Sequence, residues 1–523
     1  MDKIKVGVIT PNDERPWVRE VSDGTILGYQ DMLVDALKKE GVEVILGGEG
    51  LSQEDQVIWD TQIVKKQIRH IAEADPDALI ISMGDWSWPL DSRDAVALLA
   101  EALRGLEHKI ARTLFFCYKA PEAPGLVTGM AVGGAMRRIG MPYKLVFGKI
   151  DQDPQVIREI IDILEMYHRR KEAAKVAQDA VDAMKGEKYV ALGGMCMKMS
   201  TGTADIDQWA RVFGLTYDAL DQSELTRKAK DMVIWAGEPG RSEPVEIPDE
   251  RVRKALEYQT AHASFDYSRD SLRNNEKFIQ QLAYYYAAVD IAEESQCQFM
   301  GIKCQDELSG HVCTQCVAAA FLNNNVGPAG EPKETIPISC ENDMDSSLTQ
   351  LILKHLNGGK PAGFGDFRDI EDNILAVVNC GQHPPYFFGT PEDSDEARLS
   401  AIEYIGQEHY YRAGGAAVRG RTPGGQVMTF ARVHRENLRY GIVAMVVDTV
   451  QPDPKDHEKY SISWPIIYGK TKIPDREVID LWPCNHLGFS YGDLSAEIIE
   501  FAERVGIGYT VYDAKGNKYS KLT

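Results

Sequence analysis

Short apolar runs alternate with helical patterns through the first 120 residues of the chain. The runs lie at 5–10, 43–46, 78–83 and 113–117, and their length and composition are typical of strands buried on both faces. Between them, apolar residues at 26–37 and 95–103 recur in steps of three and four, which is the spacing of one helix face. Because strand and helix alternate, the region is predicted to form a doubly wound α/β domain.

The same alternation returns after a long charged helix predicted at 154–185. Strands are predicted at 189–192, 299–303 and 335–339, with helices near 204–213, 249–262 and 276–295. After residue 372, β-rich runs are separated by glycine and proline turns, which favours antiparallel strands. The predicted fold class is α/β, with two Rossmann-like doubly wound α/β domains followed by a β-rich, antiparallel, barrel-like C-terminal domain. The predicted domains are 1–170, 171–350 and 351–523.

Charge and motifs exclude several classes of protein. The 523 residues include 58 Lys and Arg against 79 Asp and Glu, a formal net charge of −21, which repels nucleic acids and anionic membrane surfaces. Neither the G-x-G-x-x-G nor the G-x-x-x-x-G-K-[ST] motif is present, so a dinucleotide or P-loop site has little support. The N-terminus enters a strand at once without a signal-peptide pattern, and a cytoplasmic location is expected.

The nine cysteines do not resemble a secreted disulfide framework. Cys297, Cys304, Cys313 and Cys316 lie close together in sequence, and two residues separate Cys313 from Cys316 as in zinc ribbons and redox motifs. An apolar helix follows directly, and no second close pair occurs at ribbon spacing. This pattern favours structural thiols over a zinc or redox site.

Two acidic segments are candidates for chemistry. Glu341 follows the predicted strand that ends near Ser339 and precedes a helix, and ligands of α/β proteins gather outside the carboxyl ends of strands. Asp366 lies in the glycine-bearing apolar segment 363–369. Two such carboxylates suit a divalent cation or proton transfer. The alternative is a helix N-terminal acid and an unrelated turn aspartate.

A lone histidine supplies a third candidate. His486 lies among aromatic and small residues in the segment 482–493, just ahead of a helix. It is either a core histidine or a ligand. With Glu341 and Asp366 it makes two carboxylates and one imidazole, a donor set that suits Mn²⁺ or another divalent cation such as Co²⁺ or Mg²⁺.

The order of several short motifs resembles the L-fucose isomerases, whose broader group includes the L-arabinose isomerases. The motifs are Cys340-Glu341-Asn342-Asp343, Phe364-Gly365-Asp366-Phe367, Val378-Asn379-Cys380-Gly381, Met428-Thr429-Phe430-Ala431-Arg432 and Asn485-His486-Leu487-Gly488-Phe489-Ser490-Tyr491-Gly492. Upstream, Gly193-Gly194 to Thr203 and Asp205-Ile206-Asp207-Gln208-Trp209 look like the start of the second domain of that family.

This resemblance implies roles for individual residues. Glu341 and Asp366 look like the acidic metal ligands that also form the acid/base pair of the family, and His486 resembles its third protein ligand. The further substrate-binding candidates are Gln305, Asn485, Arg412 and the stacking aromatic Trp86, for which Trp88 is the alternative. The family forms homo-oligomers, commonly hexamers, with sites near subunit contacts, so a partner subunit's pocket is one place where Trp86 could act.

The chain departs from the family between residues 381 and 411, which leaves the substrate open. Arg412, Arg419 and Arg421 lie close together in sequence and suit an anionic sugar substituent, unless they are ordinary surface arginines. The expected function is metal-dependent aldose–ketose isomerisation of a sugar through a cis-enediol. The alternatives are the same chemistry on an anionic sugar such as a 6-deoxy-6-sulfo hexose, and a non-catalytic sugar-binding protein.

Overall fold

The computed structural model describes residues 3–86, 112–121, 124–138, 143–272, 275–409, 411–451 and 464–521. The chain divides into two compact units, Met1–Ala173 and Ala174–Thr523. Within the described ranges, none of the helices has the length and apolar character needed to cross a membrane. The three-domain division made from the sequence stays a prediction, and the helix expected at 95–103 lies outside the described residues.

The regular elements of the described ranges are as follows. The strands are β1 Lys5–Ile9, β2 Glu43–Leu46, β3 Ala78–Met83, β4 Thr113–Tyr118, β5 Lys144–Gly148, β6 Lys188–Leu192, β7 Thr216–Leu220, β8 Ile234–Trp235, β9 Pro244–Glu246, β10 Ser264–Asp266, β11 Phe299–Ile302, β12 Ile338–Cys340, β13 Gly363–Glu371, β14 Ile374–Val378, β15 Glu403–Gly406, β16 Ala416–Arg419, β17 Val427–Glu436, β18 Arg439–Thr449, β19 Ile466–Lys470, β20 His486–Tyr491, β21 Gly508–Tyr512 and β22 Lys518–Lys521. The α-helices are Pro16–Lys39, Thr61–Glu73, Gly125–Arg138, Pro154–Met184, Ile206–Phe213, Ser223–Ala229, Glu250–His262, Glu276–Ser295, Glu307–His311, Cys316–Leu322, Met344–Leu356, Asp395–Ser400, Asp475–Leu481 and Ser495–Val505.

The first unit contains a parallel five-stranded sheet in the order β2-β1-β3-β4-β5. Every residue of β3 and β4 is buried, which explains why their sequences are continuous apolar runs. Helix Thr61–Glu73 begins where Asp60 accepts a hydrogen bond from the Gln62 amide and buries Ile63, Val64, Ile68 and Ile71. The predicted parallel α/β organisation is confirmed in this unit. Its Rossmann-like character stays a prediction.

The second unit begins with a parallel four-stranded sheet in the order β12-β11-β6-β7. Because these strands are parallel, β6, β11 and β12 end at the same edge, where α/β proteins hold their ligands. Helix Glu276–Ser295 lies in the core beside this sheet and is buried on nearly every side. The sheet therefore presents the residues that follow Leu192, Ile302 and Cys340 on one edge.

The C-terminal part of the second unit is rich in strands, as predicted. Its large sheet has the order β17-β20-β13-β14-β19-β18-β21-β22, and β17 also pairs with β18. Pairing thus runs from β17 through five further strands and returns to it, with each of these neighbours antiparallel. A barrel shape for the C-terminal region stays a prediction.

One pairing within this sheet brings two site residues together, and one helix joins the sheet to the four-stranded sheet. In the pairing of β13 with β20, Asp366 lies opposite His486. Helix Met344–Leu356, which follows β12, packs on β17 and β20. Gly488 permits this approach because a Cβ at that position would lie only 3.0 Å from Thr349 Cγ2. The chain after β12 and the start of β20 are thereby held side by side.

Candidate active site

Glu341 projects from a tight turn at the end of β12. Glu341 and Asn342 both have left-handed backbone conformations, with φ of +64° and +50°, which non-glycine residues adopt rarely and mainly at functional sites. The Asn342 amide nitrogen donates to the carbonyls of Gly193 and Gly194 at 3.2 and 3.1 Å, and its oxygen accepts from the Tyr189 hydroxyl at 2.7 Å. These bonds hold the turn that presents the Glu341 side chain.

His486 brings the two predicted carboxylates together. Its Nε2 lies 3.4 Å from Glu341 Oε2 and 3.3 Å from Asp366 Oδ1. The His486 residue is 1% exposed, whereas the Glu341 and Asp366 side chains are 13% and 37% exposed. The structure therefore places all three predicted ligands in contact, with Glu341 on the buried side and Asp366 toward solvent.

Asp343 fixes the orientation of the imidazole. Its Oδ2 accepts from His486 Nδ1 at 2.6 Å and from Arg432 Nη1 at 2.8 Å. Its Oδ1 accepts from the Ser346 amide at 2.9 Å and caps helix Met344–Leu356. Because a carboxylate between two donors only accepts, Nδ1 carries a proton and Nε2 faces Glu341 and Asp366.

Arg432 holds Asp343 in turn from the middle of β17. It is 1% exposed, and its Nη2 donates to the Thr201 carbonyl at 2.9 Å while its Nη1 also bonds to the Ser346 hydroxyl. A buried arginine must be paired, since an unpaired charge in the core is very costly. Asp343 and Arg432 lie within the sequence motifs, but the motifs alone predict no role for them. The signal for Arg432 is a charged residue within an apolar strand.

The site carries strongly shifted pKa values. Burial raises the pKa of Glu341 above its ordinary value, and the Asp366 charge adds to this effect. Burial alone would lower the pKa of His486, but its bonds to Asp343, Asp366 and Glu341 raise that pKa well above its usual value. Burial would likewise raise the pKa of Asp343, but Arg432 and His486 hold it well below its usual range. Perturbed groups that cluster in this way are typical of functional sites.

The donor set suits a divalent cation. Two carboxylates and one imidazole nitrogen are the ligands of Mn²⁺-type sites, and a metal-ligating histidine usually donates its other N–H to a carboxylate, as His486 does to Asp343. As the side chains stand, the described residues include no group of three or more His, Cys, Asp or Glu spaced to hold a metal ion. A cation shared by Glu341, Asp366 and His486 therefore requires their side chains to adjust.

Two further predicted residues lie near these groups. Asn485 donates its amide to Asp366 Oδ1 at 3.2 Å and is exposed. Gln305, just beyond β11, donates to the Tyr411 hydroxyl at 3.3 Å, and its carbonyl accepts from the Cys196 thiol at 3.0 Å. Burial, aided by the charge of Glu341, raises the pKa of this thiol to about 12. Gln305 and Glu341 therefore lie on the same edge of the four-stranded sheet.

The three arginines of the predicted anion site have different contacts. Arg412 is exposed and lines a cavity of about 820 Å³ with Gln407 and Tyr411. Arg419 instead bonds to Asp266 at 3.0 Å and to Glu403, so its charge is already paired. Arg421 forms a β-bridge with Ile466. The ion pairs of Arg419 favour the alternative of an ordinary surface arginine at this position. An anion site that includes Arg412 stays a prediction.

Trp86 belongs to the first unit. Its backbone amide donates to Asp85 Oδ1 at 2.7 Å, and the residue is half-buried. The alternative, Trp88, lies outside the described residues. A stacking role for Trp86 stays a prediction.

The chain is similar to known proteins along most of its length. Residues 377–513 match the family described as "L-fucose isomerase, C-terminal domain", a match that includes Arg432 and His486. L-fucose isomerase from Phocaeicola vulgatus is 22% identical over 473 residues, 77% of each chain. These matches support the resemblance to the L-fucose isomerase family. Proteins named L-fucose isomerase from Bacteroides thetaiotaomicron and Escherichia coli are 20% and 23% identical, over 78% and 77% of this chain and 78% and 76% of theirs.

Proposed function

We propose that the protein is an aldose–ketose isomerase that interconverts a sugar aldose and its ketose through a cis-enediol. The observation that carries this proposal is the contact of His486 Nε2 with both Glu341 and Asp366. The comparisons support it, because the similar proteins that match most of the chain are named L-fucose isomerase. The difficult step is removal of a weakly acidic proton from C2, which needs a positioned base and compensation of the charge that develops on oxygen.

Glu341 and Asp366 are the proposed acid/base pair. One carboxylate removes the C2 proton and returns it at C1, while the other transfers the proton between the O1 and O2 hydroxyls. Their surroundings differ, since Glu341 is 13% and Asp366 37% exposed. Different environments let two carboxylates take complementary roles at one pH. Asn485 orients Asp366 through its 3.2 Å hydrogen bond.

We further propose that Glu341, Asp366 and His486 hold one divalent cation, with Mn²⁺ as the first choice and Co²⁺ or Mg²⁺ as alternatives. A bound cation polarises the sugar carbonyl and stabilises negative charge on its oxygen. To bind a cation, His486 would release the Nε2 proton that its raised pKa favours and would contribute Nε2 as a neutral imidazole, while Asp343 and Arg432 keep the ring in place. Gln305, Arg412 and Trp86 remain proposed sugar contacts, and a homo-oligomer, possibly a hexamer, remains a proposal from the family resemblance.

The test is to incubate the Mn²⁺-loaded protein with a panel of aldoses in D₂O and to follow C1 and C2 by NMR. Deuterium incorporation together with ketose formation supports the proposal and identifies the sugar. The Glu341→Gln variant should lose roughly 10²-fold or more in turnover, the contribution of a positioned acid or base. Asp366→Asn is tested in the same way. Its matched control is Asp369→Asn, because Asp369 is an exposed aspartate on the same strand. Wild-type turnover in Glu341→Gln would contradict the assignment.

The same panel separates the alternatives. The panel includes a 6-sulfo or 6-phospho hexose because Arg412 is exposed on a cavity of about 820 Å³. Tyr411, which accepts a hydrogen bond from Gln305, lines the same cavity. Preference for the anionic sugar, lost in Arg412→Gln, would support an anionic substrate. Tight sugar binding without deuterium exchange under any metal condition would favour a non-catalytic binding protein.

A further inference from the structure

Four cysteine side chains lie together beside the candidate active site. Cys304, Cys316, Cys340 and Cys380 form this thiol cluster. The sulfurs of Cys316 and Cys380 are 3.8 Å apart, and the Cys340 thiol lies near those of Cys304 and Cys380. The sequence distance between Cys316 and Cys380 is 64 residues. The two-residue spacing of Cys313 and Cys316 is therefore misleading, because Cys316 pairs with a distant thiol and Cys313 bonds to Gln315.

Two members of the thiol cluster are close in sequence or in the sheet to Glu341 and Asp366. Cys340 is the last residue of β12 and directly precedes Glu341. Cys380 follows β14, in which Val378 pairs with Asp366. A covalent change at Cys380 would therefore act next to both carboxylates.

One thiol pair is distinguished by position and accessibility. Cys304, Cys316 and Cys340 are buried, whereas Cys380 is partly exposed. Gln407 holds the pair together, since its Nε2 donates to Cys316 Sγ at 3.1 Å and to the Cys380 carbonyl. Its Oε1 accepts from Trp464 Nε1 at 3.1 Å. A partly exposed cysteine residue beside a buried one is the arrangement of a reactive and a resolving cysteine.

We propose that Cys380 and Cys316 are a peroxide-sensitive pair that forms a reversible disulfide next to the active site. The Cys380 sulfur attacks one oxygen of hydrogen peroxide, which breaks the O–O bond and leaves a sulfenic acid and one water. The Cys316 sulfur then attacks the Cys380 sulfur, an S–S bond forms, and the sulfenic hydroxyl leaves as a second water. Two thiols are oxidised to one disulfide while one peroxide is reduced to two waters.

Disulfide formation should alter the site. A disulfide bond is about 2.05 Å long, so the two sulfurs must approach from their 3.8 Å contact. Cys380 lies two residues beyond Val378, the partner of Asp366 in the sheet, and its carbonyl is held by Gln407. The loss of turnover on oxidation rests on the proposed isomerase function, whereas formation of the disulfide does not.

The experiment is a graded treatment of the full-length protein with hydrogen peroxide, followed by trapping of free thiols with N-ethylmaleimide. Non-reducing digestion and mass spectrometry then identify cross-linked peptides. The expected product joins Cys316 to Cys380, and dithiothreitol reverses it. In Cys316→Ser, dimedone should instead label Cys380, because the sulfenic acid has lost its partner. Cys117→Ser, which removes a buried thiol of the first unit, should cross-link like the wild type.

Activity is the second measurement. If the isomerase proposal holds, oxidation should reduce turnover at least tenfold in the wild type, with recovery after dithiothreitol, and much less in Cys380→Ala. Thiols that stay reduced until peroxide unfolds the protein, or a main cross-link between Cys304 and Cys340, would overturn the inference. A Cys316–Cys380 disulfide without loss of turnover would overturn its coupling to the site. Failure of every sugar to react leaves the mass-spectrometric test intact.

Discussion

Asp343 and His486 are 143 residues apart in sequence and share a 2.6 Å hydrogen bond in the core of the candidate site. The bond places a proton on Nδ1 and turns Nε2 toward Glu341 and Asp366. Asp343 is in turn paired with Arg432 at 2.8 Å. Arg432 thus holds Asp343, and Asp343 sets the orientation and proton position of His486. The properties of the site therefore depend on residues that do not face the substrate.

Asp343→Asn should weaken Mn²⁺ binding about 10- to 100-fold, the usual cost of losing a partner that orients a metal ligand. Asparagine still caps a helix, so the effect should come from the lost charge. Isothermal titration with Mn²⁺ measures it. Asp205→Asn is the matched control, because Asp205 caps helix Ile206–Phe213 by accepting from the Gln208 amide at 3.0 Å. Equal Mn²⁺ affinities in the two variants would contradict the role of Asp343.

Arg432→Met should destabilise the protein by about 3–5 kcal/mol, because the buried charge of Asp343 loses its arginine partner and keeps only the hydrogen bond from His486. The double variant Asp343→Asn/Arg432→Met should recover part of this loss, since neither charge remains. Chemical denaturation of the wild type, both single variants and the double variant gives the coupling free energy. Strictly additive losses would show that the two side chains do not stabilise each other.

The pH dependence of stability should contain a contribution from His383. Burial lowers its pKa to about 3, so the folded protein leaves His383 neutral while the unfolded chain takes up a proton near pH 6.5. Its contribution to stability is therefore present above pH 6.5 and is lost as pH falls toward 3. Between pH 7 and 5 the loss is about 2 kcal/mol.

To isolate the contribution of His383, the free energy of unfolding is measured at pH 7 and pH 5 for the wild type and for His383→Gln. The wild type should lose about 2 kcal/mol more than the variant. The same pH dependence in both proteins would mean that His383 is protonated in the folded state. This histidine stacks on Phe489 with ring centroids 4.9 Å apart, so it is a core residue.

Gly301→Ala should disturb the turn that carries Glu341. An added methyl group would overlap the Tyr189 hydroxyl and lie 3.1 Å from Asn342 Cα, and overpacking of this kind costs about 1–3 kcal/mol. We expect a lower melting temperature and a kcat reduced more than KM. Gly310→Ala is the control, because nothing lies within 4 Å of a Cβ there. Wild-type kcat in Gly301→Ala would show that the turn tolerates displacement.

The parallel strands could be read from the sequence because burial on both faces leaves an uninterrupted apolar run, as in β3 and β4. The contact of Asp366 with His486 could not be read from the sequence, because it depends on the register of β13 against β20, and 120 residues separate the two side chains along the chain. Local spacing also does not identify the partners of Cys316 and Arg419, which are Cys380 and Asp266. In both cases the true partners are supplied by distant segments, which only the tertiary fold brings near.

The central claim is that Glu341, Asp366 and His486 share one divalent cation. Mn²⁺ titration followed by electron paramagnetic resonance tests it in the wild type, Glu341→Gln, Asp366→Asn and His486→Asn, with Asp369→Asn as the control. We predict one Mn²⁺ bound per chain in the wild type and control, and binding weakened at least tenfold in each of the three variants. Unchanged stoichiometric Mn²⁺ binding in all three variants would contradict the account.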